Sequence, residues 1–153
     1  MIKSVNNCTL FLFAFFKIPL LCFCFPRIKK KSLQSLHLYI PLYFFTKNHL
    51  GSMYFGVLMM GADLSAGLLA MHCASLSTKK VSIIFKDTQA DFLKRAEHAV
   101  LFCCDEGDKI NQLIDLVCST EERHHAPIQI QGICSETKEV VARFTLTLSL
   151  KAT

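Results

Sequence analysis

Asn48, Gly51, Gly56 and Asp63 are the residues of this chain best suited to do chemistry. They stand in one run, NHLGSMYFGVLMMGAD, that leads from a polar loop into a long apolar stretch. An aspartate among methionine, leucine, alanine and glycine is costly to bury unless something nearby uses or compensates its charge. A glycine-marked helix start offers unpaired backbone N–H groups at the positive end of the helix dipole. Donors aimed at one point, with a carboxylate nearby, are the parts that hydrolysis of an acyl group requires. Asp63 would then be nucleophile or general base, Gly56 an oxyanion donor, and Asn48 a positioner of the carbonyl or the water. Each also has a plainer use. Asp63 could bond locally to Ser65 or at a subunit interface, Gly56, Gly61 and Gly67 could allow close helix packing, and Asn48 could cap a loop or helix.

These residues need a scaffold, and the hydrophobic pattern outlines one. Residues 52–73 form the longest predicted helix, with Met53, Phe55, Val57, Leu58, Met60, Leu64, Leu68 and Met71 round most of its circumference. A helix apolar nearly all round is buried on all sides, as when a sheet wraps it. Strands are predicted over 27–32, 37–45, 79–87 and 97–104, with Pro41 marking an edge or bulge and 90–96 extending or bending the third. Residues 32–35 form a turn and 46–51 a loop. Ile110, Leu113, Ile114 and Val117 recur at helical spacing, predicting a shorter helix over 108–118 with Asp108 as N-cap. A last hairpin joins 127–135 to 139–151 through a turn at 135–138. In its second strand Ala142, Phe144, Leu146, Leu148 and Leu150 alternate with Arg143, Thr145, Thr147, Ser149 and Lys151, the pattern of a half-buried antiparallel strand. One buried helix followed mainly by strands is an α+β order. No repeat or linker divides the chain, so one domain is expected: an apolar helical segment at 1–26 packed on a body at 27–153.

The spacing resembles that of hotdog-fold thioesterases, in particular the acyl-CoA thioesterases related to phenylacetate-pathway enzymes. Their motif runs Asn-x-x-Gly-x-x-His-Gly-Gly, with an aspartate seven residues after the last glycine. Asn48, Gly51, Gly56 and Asp63 match it, while Tyr54 and Phe55 replace the His-Gly pair. Phe92, Leu93, Lys94, Arg95 and Ala96 resemble the Phe-Leu-(Arg/Lys)-Pro-Ala entry of a strand in the same fold, with Arg95 for proline. NHLGSMYFG, GADL, IIFKD, ADFLKRAE and FTLTLS together resemble a poorly characterised bacterial branch of hotdog proteins, a domain of unknown function, from near Phe16 to the C-terminus.

The resemblance implies an antiparallel sheet wrapped round a central helix. It also implies a homodimer or dimer of dimers in which Asp63 of one chain faces the Asn48–Gly56 turn of its partner. The substrate would be an acyl-CoA or acyl-carrier thioester, hydrolysed without metal or cofactor. Asp63, Gly56 and Asn48 would be catalytic; Tyr54, Gly51, Lys94 and Arg95 would bind substrate, with Lys79 and Lys80 further candidates for coenzyme A phosphates. The missing His-Gly pair motivates an alternative, a non-catalytic hotdog protein that binds an acyl chain or another hydrophobic ligand.

Composition narrows the other classes. The chain has 153 residues, enough for one core. A net charge of +5, much of it in the run 27–31, suits phosphates but is too small, and too scattered beyond that run, for nucleic acid. The eight cysteines show no metal-ligand spacing and lie mostly in apolar segments, which fits reduced thiols in the cytoplasm. His124 and His125 read as a loop pair without a third ligand, His49 is off the motif position, and Ser52 and Ser65 lack a histidine partner for serine chemistry. The apolar run at 10–25 is interrupted by Lys17 and Pro19, and no small-x-small cleavage site follows it. A packed or dimer-covering helix is the favoured expectation there, and membrane contact the alternative.

Overall fold

Val140–Ala152 is the hub of the architecture, and its alternation is what makes it so. The computed structural model describes residues 6–153, the side chain of Phe13 aside. Helix α1 (Asn7–Lys17) and a 3-10 turn (Pro19–Cys24) lead into strands β1 (Arg27–Lys31) and β2 (Leu36–Ile40). Helix α2 (Phe55–Ala74), strands β3 (Val81–Phe92) and β4 (Val100–Cys104), helix α3 (Gly107–Thr120), and strands β5 (His124–Cys134) and β6 (Val140–Ala152) follow. The strands make one antiparallel sheet in the order β1-β2-β4-β5-β6-β3. Ala142, Phe144, Leu146, Leu148 and Leu150 of β6 are all buried, as their alternation predicts. Ser149 faces the other way yet is only 1% exposed, because Arg123 Nη1 donates to its hydroxyl at 3.0 Å.

The sheet curls round α2, which packs on β2, β3, β4, β5 and β6. Val57, Leu58, Ala62, Leu64, Ala66, Leu68, Leu69 and Ala70 are buried there. The expectation of burial on all sides is corrected in one stripe. Phe55 and Asp63 are exposed and Gly56, Met59, Met60, Gly67 and Met71 half-buried, so one face of α2 stays open beside β3. This helix is long and apolar enough to cross a membrane, but 67% of that stretch is buried as the core of the fold.

Other boundaries shift for local reasons. β2 ends at Ile40 rather than Phe45, since Pro41 offers no N–H and Thr46 ties a turn by donating to the Pro41 carbonyl at 2.8 Å. α2 begins at Phe55 because the Met53 and Tyr54 N–H groups are taken by Ala96 and Thr46 carbonyls. Asp108 is not the N-cap of α3; Glu106 holds that position without a side-chain bond, and Asp108 lies in the first turn. β3 continues to Phe92 through a bulge between Phe85 and Thr88, and β4 starts only at Val100. His124 and His125 open β5 rather than forming a loop. Pro127 is tolerated within β5 because β4 pairs with that strand only at Gln131 and beyond.

The N-terminal segment is anchored by few residues. Leu10, Ala14, Leu21 and Cys24 are buried, and the Asn7 side chain accepts from the Ile28 N–H at 2.7 Å. Phe11, Leu12, Phe15, Phe16, Leu20 and Phe23 are exposed. The start of the expected 1–26 segment lies outside the described residues.

Gly107 fixes how closely α3 approaches the β1–β2 turn. Its N–H donates to Gln34 O at 3.0 Å, and a Cβ there would sit 2.0 Å from Leu33 O and 2.4 Å from Gln34 Cα. Backbone cannot yield as a side chain can. Gly107→Ala is expected to cost about 3 kcal/mol, read as a lower urea midpoint with an unchanged slope.

Candidate functional site

Asn48 organises the loop that precedes α2. Its Oδ1 accepts from the Leu50 N–H at 2.9 Å and its Nδ2 donates to Ser52 Oγ at 3.2 Å. Gly51, at φ +82°, makes the turn between them, a conformation that needs no side chain. Gly51 is exposed and lines no cavity of the described residues that also holds Asn48; its contribution is to loop shape.

That loop forms one wall of a cleft of about 550 Å³. Asn48, Ser52, Tyr54 and Phe55 line it on one side, and Phe92, Lys94, Arg95 and Ala96 on the other. Phe55 and Phe92 meet edge to face with centroids 6.2 Å apart, so the floor is aromatic. Lys94 gives its charge to Glu139 at 2.5 Å. Arg95 is exposed at the rim and has no ion pair among the described residues. Lys79 and Lys80 do not join this site. They precede the far end of β3, roughly 40 Å away along a 12-residue strand, and Lys79 pairs with Glu121 at 2.7 Å.

Gly56 stands in the first turn of α2. The cap residue Tyr54 makes no side-chain capping bond, and its carbonyl takes the N–H groups of Val57 and Leu58. The N–H groups of Phe55 and Gly56 thus have no intrahelical acceptor, as at any helix start. The Tyr54 ring lies over Gly56, with Cε1 2.5 Å from where a Cβ would stand. Tyr54 therefore occupies the space that a side chain at position 56 would need.

Asp63 is seven residues further on the same stripe, about 10 Å along the axis. It does not line the Asn48 cleft. It opens instead on a cavity of about 400 Å³ with Met59, Met60, Phe85 and Thr88. A second cavity of about 240 Å³ runs from Asp63 along Gly67 and Met71 to Ile18. Although reachable by solvent in the single chain, the carboxyl is desolvated enough by these neighbours that its pKa rises above the ordinary 3.8. Ser65 is not its partner, since that hydroxyl donates to Ala62 O at 2.9 Å. Within one chain, then, the two halves of the predicted site lie on separate clefts along β3.

The bulge between Phe85 and Thr88 and the aromatic floor at Phe92 were not singled out from the sequence as site features. Their only signal is the length of the apolar-polar alternation in β3. Among the described residues no three His, Cys, Asp or Glu side chains gather as a metal site. The eight cysteines are free. Burial pushes the Cys73 and Cys103 thiols up to about 11 and Cys104 to about 12, far from reactive thiolates.

No family model matches the chain, and no curated protein matches it. Solved structures do. A Pseudomonas aeruginosa protein of unknown function, described as a probable thioesterase, superposes with a TM-score of 0.83 at 21% identity over 99% of each chain. A Haemophilus influenzae thioesterase gives 0.73 at 14% identity, covering 98% of this chain and 93% of its own. A mutant thioesterase of Pseudomonas aeruginosa gives 0.70 at 14% identity over 99% of this chain and 98% of its own. At such identity the shared property is the architecture. A six-stranded antiparallel sheet folded round one long helix, superposing on these proteins end to end, makes this chain a hotdog-fold protein.

Proposed function

We propose that the protein hydrolyses an acyl thioester, of coenzyme A or an acyl carrier, at a site completed by two subunits of a homodimer. Asp63 carries the reading: a carboxylate with a raised pKa, in a cavity lined mostly by apolar side chains with Lys86 and Asp87 at its wall, on the same helical stripe as an uncapped helix start. In the reaction, Asp63 takes a proton from water as the water oxygen adds to the thioester carbonyl. The oxyanion receives a hydrogen bond from the Gly56 N–H. Its collapse breaks the C–S bond, and the proton passes from Asp63 to the departing thiolate. The products are a carboxylic acid and a thiol, with no metal in the scheme. The neighbours described as thioesterases support this reaction class.

The free edge of β3 supports the dimer. Among the described residues this 12-residue strand pairs only with β6, and an open edge of that length is a template for another strand. Antiparallel pairing with a two-fold copy, centred near Gln89 and Ala90, would lay 85–88 of one chain beside 91–94 of the other. Asp63 of one subunit would then meet the cleft of Asn48, Tyr54 and Arg95 in its partner. Free thiols throughout suit a reducing cytoplasm.

Arg95 is the cation left to hold a coenzyme A phosphate, Lys94 being engaged by Glu139. Arg95→Ala should raise KM for an acyl-CoA about tenfold with kcat nearly unchanged, the loss of one charged hydrogen bond. The same variant should leave KM unchanged for the acyl-pantetheine fragment, which lacks those phosphates.

A thiol-release assay over short, aromatic and long acyl-CoAs tests the reaction, with turnover expected. Absence of thiol release for every thioester would refute it. The Tyr54 ring over Gly56 favours one other reading, a hotdog protein that holds an acyl chain without cleaving it. Native mass spectrometry showing a retained acyl ligand, together with no thiol release, would establish that alternative.

A further inference from the structure

The first 62 residues hold Lys3, Lys17, Arg27, Lys29, Lys30, Lys31 and Lys47 and not one acid; Asp63 is the first Asp or Glu of the chain. The same region carries the largest exposed aromatic surface. Phe16 is 72% and Phe44 74% exposed, and Phe11, Phe15, Phe23, Phe25 and Phe45 are all more than half or about half exposed. These rings form two clusters, Phe11–Phe15–Phe16 on α1 and Phe23–Phe25–Tyr43–Phe44–Phe45 behind it. A cavity of about 170 Å³ lined by Phe11, Phe25 and Arg27 joins them into one surface. Each cluster has a basic residue at its border: Lys17 follows Phe16, Arg27 lies two past Phe25, and Lys47 two past Phe45. None of the ion pairs among the described residues draws on Lys17, Arg27, Lys29, Lys30 or Lys47.

We propose that this face docks on an anionic lipid bilayer, with the phenylalanines entering the headgroup–acyl boundary and the basic residues resting among the phosphates. An apolar patch this large on a soluble fold marks an interaction surface. Phenylalanine flanked by lysine and arginine, with no acid, is the composition of segments that lie in the membrane plane. Leu10 and Ala14 hold one side of α1 to the body, which leaves the opposite side outward. Eleven residues make a helix of about 16 Å, about half of a hydrocarbon core, so α1 lies on the bilayer rather than crossing it. A second copy of the chain is a poorer occupant. A two-fold contact sets a patch against itself, so it would oppose Lys17, Arg27 and Lys30 to their own images with no acid of this region between them. The loop with Phe44 and Phe45 continues into Asn48, so docking would bring the cleft near the lipid surface; that consequence alone rests on the thioesterase reading.

The experiment is co-sedimentation of the full chain with vesicles of phosphatidylcholine alone and of phosphatidylcholine mixed with phosphatidylglycerol. Binding to the anionic vesicles is expected, at least about tenfold above the neutral ones and weakened by salt. Arg27→Gln/Lys30→Gln, which removes two exposed charges, should lower partitioning about thirtyfold. Phe15→Ser/Phe16→Ser should abolish it with an unchanged thermal melt. If the phenylalanine variant does not fold, the charge variant still decides. No binding to either vesicle, or equal and salt-insensitive binding to both, overturns the proposal. So does a phenylalanine variant that lowers the lipid-free mass in sedimentation velocity, because a second copy then occupies the face. No turnover is read, so a result here is independent of whether thioesters are cleaved.

Discussion

Asp63→Asn should lower kcat for thioester hydrolysis by about 10²–10⁴-fold while leaving the fold intact. Asparagine keeps the size and hydrogen-bonding shape of the side chain but cannot take a proton from water. Desolvation raises the Asp63 pKa in the wild type, which makes its carboxylate a stronger base than an exposed aspartate. The acid limb of the kcat/KM profile should therefore rise through a pKa above 3.8, and that limb should vanish in the variant. Stability should move the other way. A carboxyl whose folded pKa lies above its unfolded one contributes stability below the unfolded value, and that contribution is lost as pH rises through the folded pKa. Asp63→Asn should therefore melt higher than wild type at neutral pH, with the gap closing as the pH falls below the folded pKa. Differential scanning fluorimetry across pH reads this directly. An aspartate kept for structure would give the opposite result, a variant that is less stable and no slower.

The sequence and the structure agree best where one physical rule acts alone. From Ala142 to Lys151 of β6 strict alternation decides which side chains enter the core, and only Ser149 departs, drawn under Arg123 by a contact 26 residues away in sequence. The central helix was legible as a helix because its apolar residues cannot be satisfied on one face of a strand. Its start was not, because Tyr54 caps it without a capping side chain and the preceding N–H groups are used by Thr46 and Ala96. For the site, the offset from Gly56 to Asp63 correctly sets both on one helical stripe. What local spacing does not carry is the wall between their clefts. That wall depends on where β3 crosses α2, and β3 is bent there by a bulge between Phe85 and Thr88. Lys94 and Arg95 looked equivalent as phosphate anchors until the fold brought Glu139 to Lys94.

A mixture of two inactive variants should recover about a quarter of wild-type activity. One variant is Asp63→Asn. The other is Gly56→Val, which puts bulk at the helix start where the proposed oxyanion donor stands. Its added carbons would meet the exposed Tyr54 ring, a side chain free to swing outward, so the variant is expected to fold. Each variant alone should lose about 10²-fold or more in kcat, one lacking the base and the other with bulk blocking approach of the carbonyl to the oxyanion donor. Co-expressed with different tags, the two chains assort at random and about half of the dimers are mixed. If Asp63 of one subunit serves the Gly56 turn of the other, a mixed dimer holds one site with both parts intact and one with neither. Half of the dimers, each with one of two sites working, gives the quarter. Should each chain instead carry a complete site, every site in the mixture would keep one defect and activity would stay at the level of the parents. The separate clefts of Asp63 and Asn48 in the single chain lead to the first outcome, since no residue lining the Asn48 cleft also lines the larger Asp63 cavity. Purifying the doubly tagged dimer sharpens the measurement, because its activity should be about half that of wild type rather than a quarter.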